Sequence, residues 1–217
     1  MKLPTIVICT MVASGCATNN QIIDAGSRAA QVDVPAAAAV RVRLPVGEVA
    51  IHGVAGNAIS ASVEMFCEEG DRGCQRRAKK AGFVSRTDTS AIHISLEPPS
   101  MFAWRDVHAT ININVPYDHP LHVKMGAGEI VIDHMQSCVE LDMYAGDADI
   151  HVDKLAVAGV YLDVGTGDTS LVVDGDSIEG KRALLVGSEL EWNEGNGWCQ
   201  VLGDLQFGDL RIYLDQL

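Results

Sequence analysis

Apolar side chains stand three residues before a small residue at Met125, Met143, Val164, Leu185 and Leu205. The small residue is followed each time by an acid, as Gly128-Glu129, Gly146-Asp147, Gly167-Asp168, Ser188-Glu189 and Gly208-Asp209, at steps of 18, 21, 21 and 20 residues. Two positions after the small residue come Ile130, Ala148, Thr169, Leu190 and Leu210, and four positions after it Ile132, Ile150, Leu171, Trp192 and Ile212. This alternation on both sides of each corner predicts two strands joined by a turn. An earlier copy, Leu44 to Ile51, keeps the same frame around Gly47.

A two-strand unit repeated every 20 residues or so predicts an all-β fold, a β-solenoid whose rungs stack about 4.8 Å apart around a shared core. An antiparallel β-sandwich of hairpins is the alternative that the same alternation serves. Weaker strands are expected at Ile59–Phe66, Ala91–Leu96 and Ala109–Val115. One short helix interrupts the pattern over residues 71–82, where Asp71 can cap the start and Gly82 the end. Its charges run from acidic to basic along the helix dipole.

The segment MKLPTIVICTMVASGC has a charged Lys2, an apolar run too short to span a bilayer, and small residues before Cys16. It resembles a bacterial lipoprotein signal. That resemblance implies cleavage before Cys16, lipidation of its sulfur and acylation of the new amine. An ordinary secretory signal cut near Ala17 is the alternative. The expected division is a signal peptide over 1–15, the lipidated Cys16 with a flexible tether over 16–39, and a repeat domain over 40–217.

Composition narrows the partners. The chain has 217 residues and a formal net charge of -13, which argues against nucleic acid. Two cysteines fall in the signal. Cys67 and Cys74 flank a short glycine-containing loop, and an exported chain can oxidise them. Stacking in chain order would place Cys138 and Cys199 three rungs apart, about 14 Å. They are therefore expected as buried thiols, and a crosslink between them would count against that register and favour the sandwich.

The stretches LPVGEVAIHG, KMGAGEIVID, YAGDADIHV, VGTGDTSLVV and the closing LVGSELEWNEGNGWCQVLGDLQFGDLRIYL together resemble the "putative adhesin" β-strand-repeat family, a toastrack-like domain of unknown function. The likeness covers residues 40–214 in low-information turn-and-strand units. It implies a β-helix-like fold in exported or envelope proteins and no established catalytic residues.

Several residues are candidates for chemistry. In register, the corner acids Glu129, Asp147, Asp168, Glu189 and Asp209 would form a ladder along one edge. Oxygen-rich turns of that kind bind calcium, but turn chemistry accounts for them better, since the acid can accept backbone N–H bonds. His119 and His122 have an HxxH spacing without the helix of a metalloprotease. Arg76 and Arg77, in a basic cluster with Arg72, Lys79 and Lys80, could meet anionic lipid or polysaccharide. Phe102 and Trp104, between strands, are candidates for ligand contact, whereas Trp192 falls on the inward face. No cofactor, zinc or nucleotide motif is present, and no spacing selects a catalytic pair among the many acids.

The sequence thus points to a non-catalytic cell-envelope lipoprotein offering a rigid β-solenoid as a structural or adhesin-like surface. Its partners would be the membrane, through the lipid, and an envelope protein or polysaccharide. Ala17 stands where, by resemblance to proteobacterial lipoproteins, an aspartate retains the protein in the inner membrane, so for a Gram-negative source the resemblance implies the outer membrane. A carbohydrate-active module and an envelope-stress regulatory partner are the other readings. Carboxylates gathered in a groove beside Phe102 and Trp104 would favour the first of these.

Overall fold

The structure is a computed structural model describing residues 22–36, 38–183 and 186–216. The Cys16 segment and Leu185 lie outside the described residues. Strand accounts for 70% of the described residues and helix for 6%, so the all-β expectation with one short helix holds. The strands form one large mixed sheet that does not close on itself.

Three long strands organise it: β2 (Ala39–Val54), β7 (Leu121–Met135) and β8 (Val139–Asp153). Their buried positions change parity midway. Val40, Val42 and Leu44 give way to Val49 and Ile51, and Leu121, Val123 and Met125 to Ile130 and Ile132. In an uninterrupted strand those two sets would face opposite sides. Each strand instead turns a corner at Gly47, Gly128 or Gly146, and both halves point into one core.

The corners give the sheet two wings. In one, β4 (Gly82–Thr87) and β5 (Ala91–Glu97) flank the first halves of β2, β7 and β8. Beyond β8 lie β14 (Cys199–Phe207), β9 (Val157–Thr166), β13 (Gly187–Trp192) and β12 (Lys181–Ala183). In the other, β1 (Ile22–Asp33), β3 (Ala58–Glu68) and β6 (His108–Pro116) precede the second halves. Then follow β15 (Leu210–Asp215), β10 (Thr169–Val173) and β11 (Asp176–Glu179). The central pairs are parallel and in register, Gly47 opposite Gly128 and Gly128 opposite Gly146.

The stacking order differs from the chain order. β14 pairs with β8 on one side and β9 on the other, so the last repeat slots between those centred on Gly146 and Gly167. Val201 sits opposite Val139, which brings the preceding Cys199 beside Cys138, and the two form a disulfide with a Cα–Cα distance of 5.0 Å. The expectation that they are free thiols is corrected, and chain-order stacking with it. The crosslink counts against the stacked-rung register and towards the sandwich, although β14 pairs parallel with both β8 and β9. The expected Cys67–Cys74 bridge is present, with a Cα–Cα distance of 5.9 Å.

Two further expectations change. The stretch read as a tether carries β1, paired antiparallel with β3 along the sheet edge. Its exposure alternates with one slip at Gly26, but no position is buried and the half-exposed ones include Gly26 and Arg28, so there is little apolar contrast to read. The helix α1 (Arg72–Ala78) starts where expected, with Asp71 Oδ1 accepting from the Cys74 amide at 2.9 Å. It stops well short of Gly82, which opens β4. The disulfide and the burial of Cys74 and Ala78 fix α1 against the end of β3.

The corner glycines admit nothing larger. Gly146 has φ +126°, and a Cβ there would overlap the carbonyl oxygen of Gly128. Gly128 bears the same relation to Gly47, Gly208 to Gly146, and Gly167 to Gly208. Gly146→Ala is expected to cost about 3 kcal/mol or more, by backbone strain plus forced separation of rungs. Gly56→Ala, with φ +134° and open space, should cost only about 1 kcal/mol. Urea unfolding checks both, and equal losses would show that the stacking adds nothing to the strain. Cys138→Ala/Cys199→Ala, opening a separation of 61 residues, should cost about 4 kcal/mol, against about 2 for Cys67→Ala/Cys74→Ala, which spans 7. The same titration measures the pair.

Candidate functional site

The outer face of the first wing is built from positions six and four before each corner glycine. On β2 these are Arg41 and Arg43, on β7 His122 and Lys124, on β8 Glu140 and Asp142. On β14 they are Leu202 and Asp204, and on β9 Tyr161 and Asp163. Because the strands are parallel and in register, the residues line up as rows across the sheet. On the far side of β2, His93 lies opposite Arg41, and Arg86 opposite His93. The face is cationic over β4, β5, β2 and β7 and acidic from β8 onward.

The cationic half forms an open groove of about 750 Å³ lined by Arg41, Arg43, Arg86, His93, His122 and Lys124. Of its carboxylates, Glu140, Asp142 and Asp88 are engaged with neighbours, while Glu97 has no partner among the described residues. Glu140 meets the His122 ring at 2.6 Å, Asp142 meets the Lys124 ammonium, and Asp88 meets the His93 ring at 2.8 Å. Asp88 also accepts from the Ser90 and Ala91 amides, and the Ser90 amide leads in holding its carboxyl well below the usual range. Arg41, Arg43 and Arg86 have no hydrogen-bond or ion-pair partner among the described residues. Three guanidinium groups without partners stand along one groove of a strongly acidic chain.

A second hollow continues the groove, sharing Arg43, Pro99, Lys124 and Asp142 with it. Phe102 projects there at 83% exposure from the turn Met101–Trp104. Tyr144 lines the same hollow and packs edge-on against Phe207, with ring centroids 5.6 Å apart. Trp104 does not belong to it. Its ring is 3% exposed and its indole N–H donates to the Pro98 carbonyl at 2.8 Å, so it anchors the loop that carries Phe102. Trp192 is buried, as its inward position predicts.

The other candidates lie elsewhere. Arg77 pairs with Asp106 at 3.0 Å and approaches Asp71 at 3.9 Å, while Arg76 is exposed on α1; neither lines the groove. The corner acids form a ladder in the spatial order Glu48, Glu129, Asp147, Asp209, Asp168. Asp147 Oδ1 accepts from the Asp209 amide and Asp209 Oδ1 from the Asp168 amide, both at 3.1 Å, so these carboxylates tie rung to rung. Glu189 leaves the ladder, because β13 runs antiparallel and sets it opposite Asp163. His119 pairs with Asp118 in a turn and His122 with Glu140 on the sheet, so the HxxH pair does not converge. Among the described residues no three His, Cys, Asp or Glu side chains are placed to hold a metal ion. Asp133 lies between His52 and His134; burial pushes its carboxyl up, and the hydrogen bonds and charge interactions with the two rings together leave it lowered.

No family model matches the chain, and no curated protein matches it in sequence. Among solved structures it is similar to a "putative cell adhesion protein" from Clostridium sporogenes, at 13% identity and a TM-score of 0.50. That match covers 88% of this chain and 100% of the other. The likeness is one of fold. A "putative lipid binding protein" from Parabacteroides distasonis overlaps at 9% identity and a TM-score of 0.26, over 86% of this chain and 94% of that one.

The acidic half of the face carries a measurable consequence. Asp204 stands between Asp142 and Asp163, and its carboxyl is raised above the usual 3.8, first by desolvation and then by those two charges. A raised folded-state value means that the ionised group costs stability above that value, and that the cost vanishes as pH falls below the ordinary one. Asp204→Asn should therefore raise Tm by about 1–2 °C at pH 7 and leave it unchanged near pH 3. Thermal melts across pH check this. A lower Tm at pH 7 would mean that the carboxylate makes a favourable contact.

Proposed function

We propose that the chain is a lipid-anchored, non-catalytic envelope protein, an adhesin-type β-solenoid that holds its cationic groove outward as a binding face. One observation supports this above the others: three arginines without partners, Arg41, Arg43 and Arg86, sit on strands fixed by parallel register. A partnerless guanidinium gains nothing for folding from its neighbours, and several along one groove make an anion-facing surface. The strands beneath are tied by continuous ladders, so the groove is preorganised and little ordering is needed on binding. Three of the four groove carboxylates, Asp142, Glu140 and Asp88, serve as partners to Lys124, His122 and His93, which speaks for binding rather than acid–base chemistry.

The anchoring part rests on Cys16 and the segment before it. Two or more acyl chains make a stable attachment, at about 0.8 kcal/mol per buried methylene, without a membrane-spanning helix. The outer membrane, facing the periplasm or the cell surface, is the proposed location. Cys16→Ser should move the protein from the membrane fraction to the soluble fraction of fractionated cells. Retention of that variant through a high-salt wash would rule out the lipid anchor.

A further inference from the structure

We infer that the groove binds an acidic oligosaccharide, with uronate carboxylates on the arginines and a sugar ring against Phe102. This deepens the binding-face reading above and rests on it. The argument begins with charge. Arg41 and Arg43 are two residues apart on the same side of β2, about 6.6 Å along the strand. Arg86 lies two strands away on β4, about 10 Å across the sheet. Each planar guanidinium presents a fork that fits a carboxylate bidentately, and none is occupied by the protein.

Direction follows from the rest of the face. A polyanion laid across the sheet would run from Lys124 onto Asp142, Asp204 and Asp163, where like charges repel it. Laid along the strands, it passes from Arg41 to Arg43 and into the hollow lined by Phe102 and Tyr144, which shares Arg43 and Lys124 with the groove. On that path it meets Glu97 and the Lys124-paired Asp142. That second hollow selects the chemistry. A phenyl ring at 83% exposure, held out by a loop whose own Trp104 is buried, offers a flat apolar face. Pyranose rings present a flat C–H face of matching size beside their polar edges, whereas a phosphate polymer or an acidic peptide has no such face at each charged unit. Charge recognition followed within one strand length by ring stacking fits a chain in which every unit carries both.

Calorimetric titration of the detergent-solubilised full chain tests this with hexagalacturonate, maltohexaose and hexaglutamate. Hexagalacturonate should bind, more weakly as salt rises, and maltohexaose should not. Arg41→Gln/Arg86→Gln should lower the uronide affinity at least about tenfold, and Phe102→Ala severalfold, with Tm unchanged in both variants. Failure of hexagalacturonate to bind, or an uncharged chain binding equally, overturns the proposal. So does hexaglutamate binding as tightly as the uronide, which would make the occupant an acidic peptide, or indifference to Phe102→Ala. Sedimentation showing a dimer that Arg86→Gln dissolves would overturn it in favour of a second copy, basic half on acidic half. The Cys16→Ser fractionation is independent of all these outcomes, so loss of the saccharide leaves the anchored reading standing.

Discussion

The close approach of successive rungs at their corners is the constraint on which the rest depends. At Gly128, Gly146, Gly208 and Gly167 the space that a Cβ would fill holds the carbonyl oxygen of the preceding rung. That contact sets the register of every strand leaving the corner, because a slip of one residue would turn each inward side chain outward. It also reverses the parity of burial, so that one chain segment supplies both wings and both close on a single core. Acids after the glycines add to the same spine, with the carboxylates of Asp147 and Asp209 taking the amide of the adjoining rung.

Once the register is fixed, function becomes a matter of which residues stand outward at equal distances from the corner. Those positions carry no burden of packing, and their charges are free to vary from rung to rung. Here they change sign between β7 and β8, which gives one wing a cationic half and an acidic half. The cationic half draws on β2, β4, β5 and β7. The hairpin of β4 and β5 adds Arg86 and His93, and the loop after it brings Phe102 to the groove's end. The cis Glu97–Pro98 bond and the Trp104 hydrogen bond to Pro98 belong to that same loop.

The disulfides have different roles in this scheme. Cys67–Cys74 clips the helix to the end of β3 within a local loop. Cys138–Cys199 joins two rungs that are distant in sequence, at the place where β14 enters between β8 and β9. It holds β14 between two strands that precede it in the chain, a non-local pairing with a long loop to close.

The sequence by itself determined the unit: the offsets around Gly47, Gly128, Gly146, Gly167 and Gly208 specify strand, corner and strand, and they place Leu171 and Trp192 inside. It determined the Asp71 cap and the Cys67–Cys74 bridge, since both are local. It held the groove too in a form that could have been read, because the outward pairs six and four before each glycine run Arg-Arg, His-Lys, Glu-Asp. Only the tertiary structure decided the order of the rungs. Every repeat presents the same edge and the same alternation, so pairing energy scarcely distinguishes one neighbour from another, and a period along the chain carries no information about succession in space. For that reason Glu189 left the corner ladder, Cys199 found Cys138, and Arg86 came within reach of Arg41 across strands that the chain keeps far apart.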